Sequence, residues 1–176
     1  MRLLAVALGA LALAGPAAAS SAPTFALWDL QSDLAPVSRN EFGDVATRAR
    51  AALAGEGALV RCAAWCRFSP GWLAFRAKPR LTAGDAAAAK VVYSKRLGWT
   101  VQASLNRPAL ARWSHFAHLT AERSRRRGVP DVLVVVARGT VAATPYSSAV
   151  HVSGGRLVLS GFVSKAAANA VVSALG

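Results

Sequence analysis

Apolar and polar positions along this chain repeat at two periods, and the switches between those periods outline its elements. The short apolar run at residues 25–30 predicts a first strand. Ser38-Arg39-Asn40-Glu41 has the hydroxyl-to-carboxylate spacing of a capping box, which satisfies orphan backbone donors at a helix start. Phe42, Val45, Ala46, Ala49 and Leu53 then recur at helical spacing, and Gly55 offers a stop. Residues 58–68 and 72–78 flank Ser69-Pro70-Gly71 and predict a hairpin. Thr82 predicts the cap of a short alanine-rich helix over residues 83–89. Residues 90–93 and 99–105 flank a polar stretch at 94–98, a second hairpin whose Trp99, Val101, Ala103 and Leu105 share a face.

The longest helix is expected from Asn106 to about Arg125, with Pro108 in its first turn and Gly128 and Pro130 beyond its end. Leu110, Trp113, Ala117 and Thr120 form its inward stripe, with Phe116 alongside. Residues 131–137 are apolar on both faces, the pattern of a central strand covered on both sides. Arg138-Gly139 turns the chain into a strand at 141–147, and Gly154-Gly155 turns it into another at 156–160. Ser164 caps a final helix that turns Ala168, Val171, Val172 and Leu175 to the sheet. The fold class is α+β, with small mixed or antiparallel sheets packed against helices.

The first residues read as an address. Arg2 precedes an apolar stretch at 3–14, Gly15 and Pro16 break it, and Ala17-Ala18-Ala19 offers small residues to a signal peptidase. The division expected is therefore a signal peptide over 1–19, an N-terminal α+β subdomain over 20–90 (helix, hairpin, helix) and a second α+β subdomain over 91–176. A periplasmic or secreted protein follows. The 176 residues carry 21 Lys+Arg against 8 Asp+Glu, a net charge of +13. Loss of Arg2 with the signal leaves 20 − 8 = +12. With 54% hydrophobic residues the chain is no disordered basic tail. Secretion argues against nucleic acid as the partner of that charge.

Candidate chemistry is sparse. Cys62 and Cys66 meet an oxidising compartment. In a regular strand their α-carbons lie roughly 13 Å apart, and bridging needs less than about 7 Å. Either the strand is regular and the thiols are free, or a tight turn intervenes and they are bonded. The spacing is not that of a redox C-x-x-C site. His115, His118 and Glu122 fall along one helix side at i, i+3 and i+7, a solvated face rather than a metal site. There is no G-x-S-x-G, no phosphate-binding G-x-x-x-x-G-K-[ST] and no usable carboxylate pair, so no enzyme, cofactor or metal is expected. The densest charge is Arg123, Arg125, Arg126 and Arg127, a candidate anion or partner patch at a helix C-terminus, where the macrodipole already favours cations. Five Trp residues are many for this length and read mostly as core.

Residues 91–176 resemble the head of the large periplasmic domain of SecD, a subunit of the bacterial preprotein translocase. Val101-Gln102-Ala103-Ser104-Leu105 is similar to that family's entering strand, and residues 113–120 lie where its helix closes with Phe116 and Leu119-Thr120. Residues 133–141 resemble its A-I-V-L-D-G-x-V hairpin, Thr144-Pro145 falls on A-P, and residues 154–164 run gaplessly along G-G-x-x-x-I-S-G-x-F-T. Ala168-Asn169 matches A-N. Arg138 stands where the family has Asp, and Ala166 and Ala167 stand where it has paired glutamates. The resemblance implies a stand-alone relative of a domain that contacts translocating polypeptide, without the membrane helices that couple SecD to the proton gradient. Two readings follow. One is a non-enzymatic export accessory that engages translocating or unfolded polypeptide or envelope proteins, by strand addition at a sheet edge. The other is an envelope-surface protein that docks on an anionic membrane surface or polymer through the arginine patch.

Overall fold

A computed structural model describes residues 23–33, 58–62, 71–75 and 77–176. The expected signal peptide over 1–19, the capped helix after Ser38, and the segment containing Trp65, Cys66 and Ser69-Pro70 lie outside them. The described chain runs β1 (Phe25–Asp29), α1 (Leu30–Asp33), β2 (Ala58–Cys62), β3 (Gly71–Phe75), β4 (Leu81–Thr82), a 3-10 turn (Ala83–Asp85), β5 (Ala86–Ser94) and β6 (Gly98–Leu105). It continues through α2 (Arg107–Arg127), β7 (Leu133–Ala137), β8 (Thr140–Ala143), a 3-10 turn (Ser147–Ala149), β9 (Val150–Ser153), β10 (Arg156–Phe162) and α3 (Lys165–Leu175). The architecture is α+β, as the pattern predicts.

Two sheets result. The larger is six-stranded and mixed, in the order β3-β2-β8-β7-β1-β4, and the smaller is four-stranded, β5-β6-β10-β9. Every pairing in the smaller sheet is antiparallel, whereas β2 meets β8 in parallel at Arg61 and Thr140. β1 and β7 sit side by side in the middle of the larger sheet, and every residue of both is buried. Their alternating side chains feed two cores. Phe25, Leu27, Leu133 and Val135 join Val101, Leu157 and Leu159 of the smaller sheet, Trp113 and Phe116 of α2, and Ala168 and Val171 of α3. Ala26, Trp28, Val134 and Val136 face the other way, with Val60, Leu73 and Phe75. Trp28 stacks on Phe75 with ring centroids 4.6 Å apart, and its indole N–H donates to the Ala77 carbonyl at 2.9 Å.

The local signals act largely as expected. The Asn106 side chain caps α2 by accepting from the Ala109 N–H at 2.9 Å, and Gly128 ends the helix in the left-handed conformation. Ser164 caps α3 by accepting from the Ala167 N–H at 3.2 Å. The helix α2 buries Ala109, Trp113, Phe116 and Thr120, so its stripe is rotated slightly from the expected one, with Leu110 and Ala117 only half-buried.

One expectation is corrected. Residues 86–89 are strand, not helix: Thr82 and Asp85 form a capping box, but the helix it opens lasts one turn. Four alanines are too few to sustain a helix on propensity, and pairing of Ala86, Ala88 and Ala89 with Leu105, Ser104 and Ala103 prevails. The boundary at residues 90 and 91 falls inside β5. The larger sheet interleaves strands from both sides of that boundary, because β1 pairs with β7 and β2 with β8.

Candidate functional site

The arginine cluster at the end of α2 does not form one patch. Arg123 reaches off the helix to two buried carboxylates: its Nη2 pairs with Oδ2 of Asp29 and lies 2.8 Å from Oδ2 of Asp131. The side chains of Asp29 and Asp131 are 0% and 1% exposed. Arg127 pairs with the other Asp131 oxygen at 3.2 Å. These two arginines tie the helix end to β1 and to the chain entering β7. Arg125 and Arg126 project into solvent and the Arg127 side chain is still 47% exposed; Arg125 Nε approaches the Ala121 carbonyl at 3.5 Å, and Arg126 lies 4.0 Å from Glu122. Arg123 is thereby drawn into the fold, and Arg125, Arg126 and Arg127 remain as the exposed cations of the cluster.

The same use of acid recurs elsewhere. Asp33 is fully buried, accepts from the Asp29 backbone N–H at 2.9 Å and pairs with Arg80, whose guanidinium lies over the Phe116 ring at 5.1 Å. Asp85 accepts from the Thr82 N–H at 2.8 Å and pairs with Arg112 at 2.5 Å. Among the described residues the acids are Asp29, Asp33, Asp85, Glu122 and Asp131, and the four aspartates are all buried against arginine. Buried carboxylates are tolerable only when paired in this way.

Among the described residues what remains outside is cationic apart from Glu122, and one region carries no acid. No Asp or Glu occurs from residue 86 to 121 or from 132 to 176, so β5, β6, β9, β10 and α3 lack side-chain carboxylates. Alternation and register assign the faces of the smaller sheet. Val101, Ala103, Leu157 and Leu159 point to the core. On the opposite face one row runs Ala88, Ser104, Arg156, Ser153, and the next runs Lys90, Gln102, Val158, His151. Lys90, Arg156 and His151 are exposed there, and Gln102 and Ser104 are half-exposed. Ala88, Lys90, Gln102, Ser104 and Arg156 line a shallow hollow of about 190 Å³. Small side chains at Ala88 and Ser104 leave the space between the two cations open.

The edge of this sheet completes the site. β5 is an end strand of nine residues, and among the described residues no strand lies beyond it. Other sheet ends are shorter: β9 has four residues, β4 two and β3 five. Edges are usually blunted by shortness, proline or charge. β5 has no proline and one charge, Lys90, among alanines and valines. At its far end Tyr93 is 59% exposed and rests against Trp99, ring centroids 4.8 Å apart. The sequence concealed this edge, because its alanines read as helix.

The remaining candidates other than Trp99 lie apart from this sheet. His118 Nε2 is 3.3 Å from Glu122 on the solvent side of α2, and among the described residues no cluster of three metal-capable side chains occurs. Cys62 ends β2, is buried and is disulfide-bonded, whereas Cys66 lies outside the described residues. Trp28 and Trp113 are core, and Trp99 is half-buried under the Lys165 ammonium at 5.6 Å. Among the described residues no helix is long and apolar enough to cross a membrane.

No protein-family model matches the chain, and no curated protein matches it. Two solved structures are similar to parts of it. One is described as a membrane component SecDF that enhances protein export, with 23% identity and a TM-score of 0.36 over 55% of this chain and 40% of that one. The other is SecDF in a super-membrane-facing form, with 16% identity and a TM-score of 0.42 over 88% of this chain and 19% of that one. This chain thus spans well under two thirds of the length of either. Likeness this loose assigns no activity, so the functional reading rests on the sheet itself.

Proposed function

We propose that this domain is a non-enzymatic periplasmic or secreted accessory of protein export, which holds extended polypeptide as an added strand along β5. The observation that carries the reading is the edge: nine residues of small-residue strand at the end of a sheet, with a cationic open face beside it. An added strand gains affinity from main-chain hydrogen bonds, which every polypeptide can make, so the mode suits a module that meets many clients. The resemblance of residues 91–176 to the SecD periplasmic head, a domain that contacts translocating chain, supports the same reading. Docking on anionic lipid through the arginine cluster has less support, since Arg123 pairs with the buried Asp29 and Asp131 and Arg127 with Asp131.

Amide hydrogen exchange tests the proposal directly. The domain is mixed with a reduced, alkylated, unfolded polypeptide at physiological salt, and exchange is followed by NMR residue by residue. Saturable binding with new protection concentrated in residues 86–94 is expected. Lack of saturable binding, or protection confined to the end of α2, would sink it.

A further inference from the structure

We infer that the carboxylate-free face of the smaller sheet selects its occupant, and that the preferred strand carries Asp or Glu at alternate positions. This rests on the strand-addition reading above and names the chemistry of the segment that the edge takes. Side chains of an added strand point alternately to the two faces of the sheet, so every second one lies over the open face. One such position falls beside Lys90, directly across from it on the neighbouring strand, where opposite charges attract. Another falls in the row of Ala88, Ser104 and Arg156. Three strand spacings separate that position from Arg156, roughly 14 Å between α-carbons. The intervening Ala88 and Ser104 are small and flank the hollow, so a glutamate and the arginine can extend towards each other across it. Gln102 and Ser104 supply neutral hydrogen-bonding groups along its floor.

Charge complementarity excludes competing occupants as well as favouring this one. Lys90 is the central residue of the nine in β5, so antiparallel pairing of two copies about that centre opposes Lys90 to itself. The edge is thus guarded against its own kind and open to a strand of opposite sign. Single-stranded nucleic acid needs aromatic platforms on the face it crosses, and the two open rows contain none. An insertion surface for membrane needs protruding apolar groups, whereas the exposed residues here are Ala88, Lys90, Arg156, His151 and Ser153.

The test uses three labelled peptides on one β-forming frame, with Glu, Gln or Lys at alternate positions, followed by fluorescence anisotropy at physiological salt. The Glu peptide should bind at least about tenfold more tightly than the Gln peptide, as charge-assisted contacts imply. In the double variant Lys90→Gln with Arg156→Gln, measured at protein concentrations below those at which it self-associates, that advantage should vanish while thermal stability is retained. The charge-matched control, Arg125→Gln with Arg126→Gln, should keep it. Equal affinity for Glu and Gln peptides overturns the inference, and so does equal loss in the control, which reports net charge rather than the hollow. Tighter binding of anionic vesicles or single-stranded DNA, dependent on Lys90 and Arg156, also overturns it. Exchange protection at β5 with the Gln peptide separates the two levels: if present, strand addition stands without selectivity, and if absent with every peptide, the underlying reading has failed.

Discussion

Replacing Arg123 by alanine strands two buried carboxylates at once. Asp29 is left with only a backbone donor, the Gln31 N–H at 3.0 Å, for its Oδ1, and Asp131 keeps Arg127 at 3.2 Å on one oxygen. Loss of one partner from a buried pair costs about 3–5 kcal/mol, against about 0–1 kcal/mol for an exposed pair. The Arg123 side chain is 27% exposed, so water already screens part of the interaction. The expected loss is therefore near the lower end, about 3 kcal/mol, a large fraction of a typical domain stability of about 5–15 kcal/mol. Urea unfolding followed by far-UV circular dichroism measures it, with a lowered midpoint and an unchanged slope. Asp29→Asn added to Arg123→Ala should recover about 1 kcal/mol or more, because an amide tolerates burial without a cation. Arg125→Ala with Arg126→Ala should stay within about 0.5 kcal/mol of the wild type. A loss below about 1 kcal/mol for Arg123→Ala, matching that control, would refute the clamp and return Arg123 to the surface cluster.

Arg138 sits at φ 50° in the β7–β8 turn, ahead of Gly139 at φ 73°. Asn tolerates that conformation better, so Arg138→Asn should raise stability by about 0.5–1 kcal/mol in the same urea assay, and a lowered midpoint would count against backbone strain there. Asp85→Ala removes both the Thr82 N–H acceptor and the partner of Arg112. A loss of about 1–3 kcal/mol is expected, and a neutral result would show that the turn before β5 holds without its cap. Lys90→Thr leaves β5 uncharged, so concentration-dependent dimerisation should appear in sedimentation velocity. A variant that stays monomeric at every concentration would mean that something other than Lys90 blocks self-pairing.

Elements set by local chemistry were legible in the sequence, and elements set by distant partners were not. Asn106, Ser164, Arg138-Gly139 and Gly154-Gly155 carry their instructions within a few residues, and each cap or turn falls where those residues place it. Residues 86–89 carry a weak local preference for helix, overridden by a strand 14 or more residues away that pairs with them. The union of the two halves was hidden for a similar reason. No spacing rule announces that β1 lies against β7, more than 100 residues on, or that β2 meets β8 in parallel. The roles within the arginine cluster were hidden in a different way. A run of like charges at a helix end looks the same whether its members face water or reach sideways, and only the position of Asp29 and Asp131 distinguishes the two.

The division of acid between interior and surface links these observations. Aspartate occupies the described interior beside β1, α1, β4 and β7, where each carboxylate draws an arginine against the fold. Each such pair is neutral, so it leaves the excess charge of the chain to residues that no acid restrains. In the smaller sheet that excess is fixed rather than diffuse: Lys90 on β5 and Arg156 on β10 stand either side of β6, with small residues between them. A rigid, carboxylate-free face beside an open edge therefore offers two independent grounds of recognition. The edge supplies backbone pairing that any extended segment can satisfy, and the face supplies charge that only some segments match. Affinity lost on removing Lys90 and Arg156 should thus fall on acidic segments alone, whereas distortion of β5 itself should weaken all segments alike.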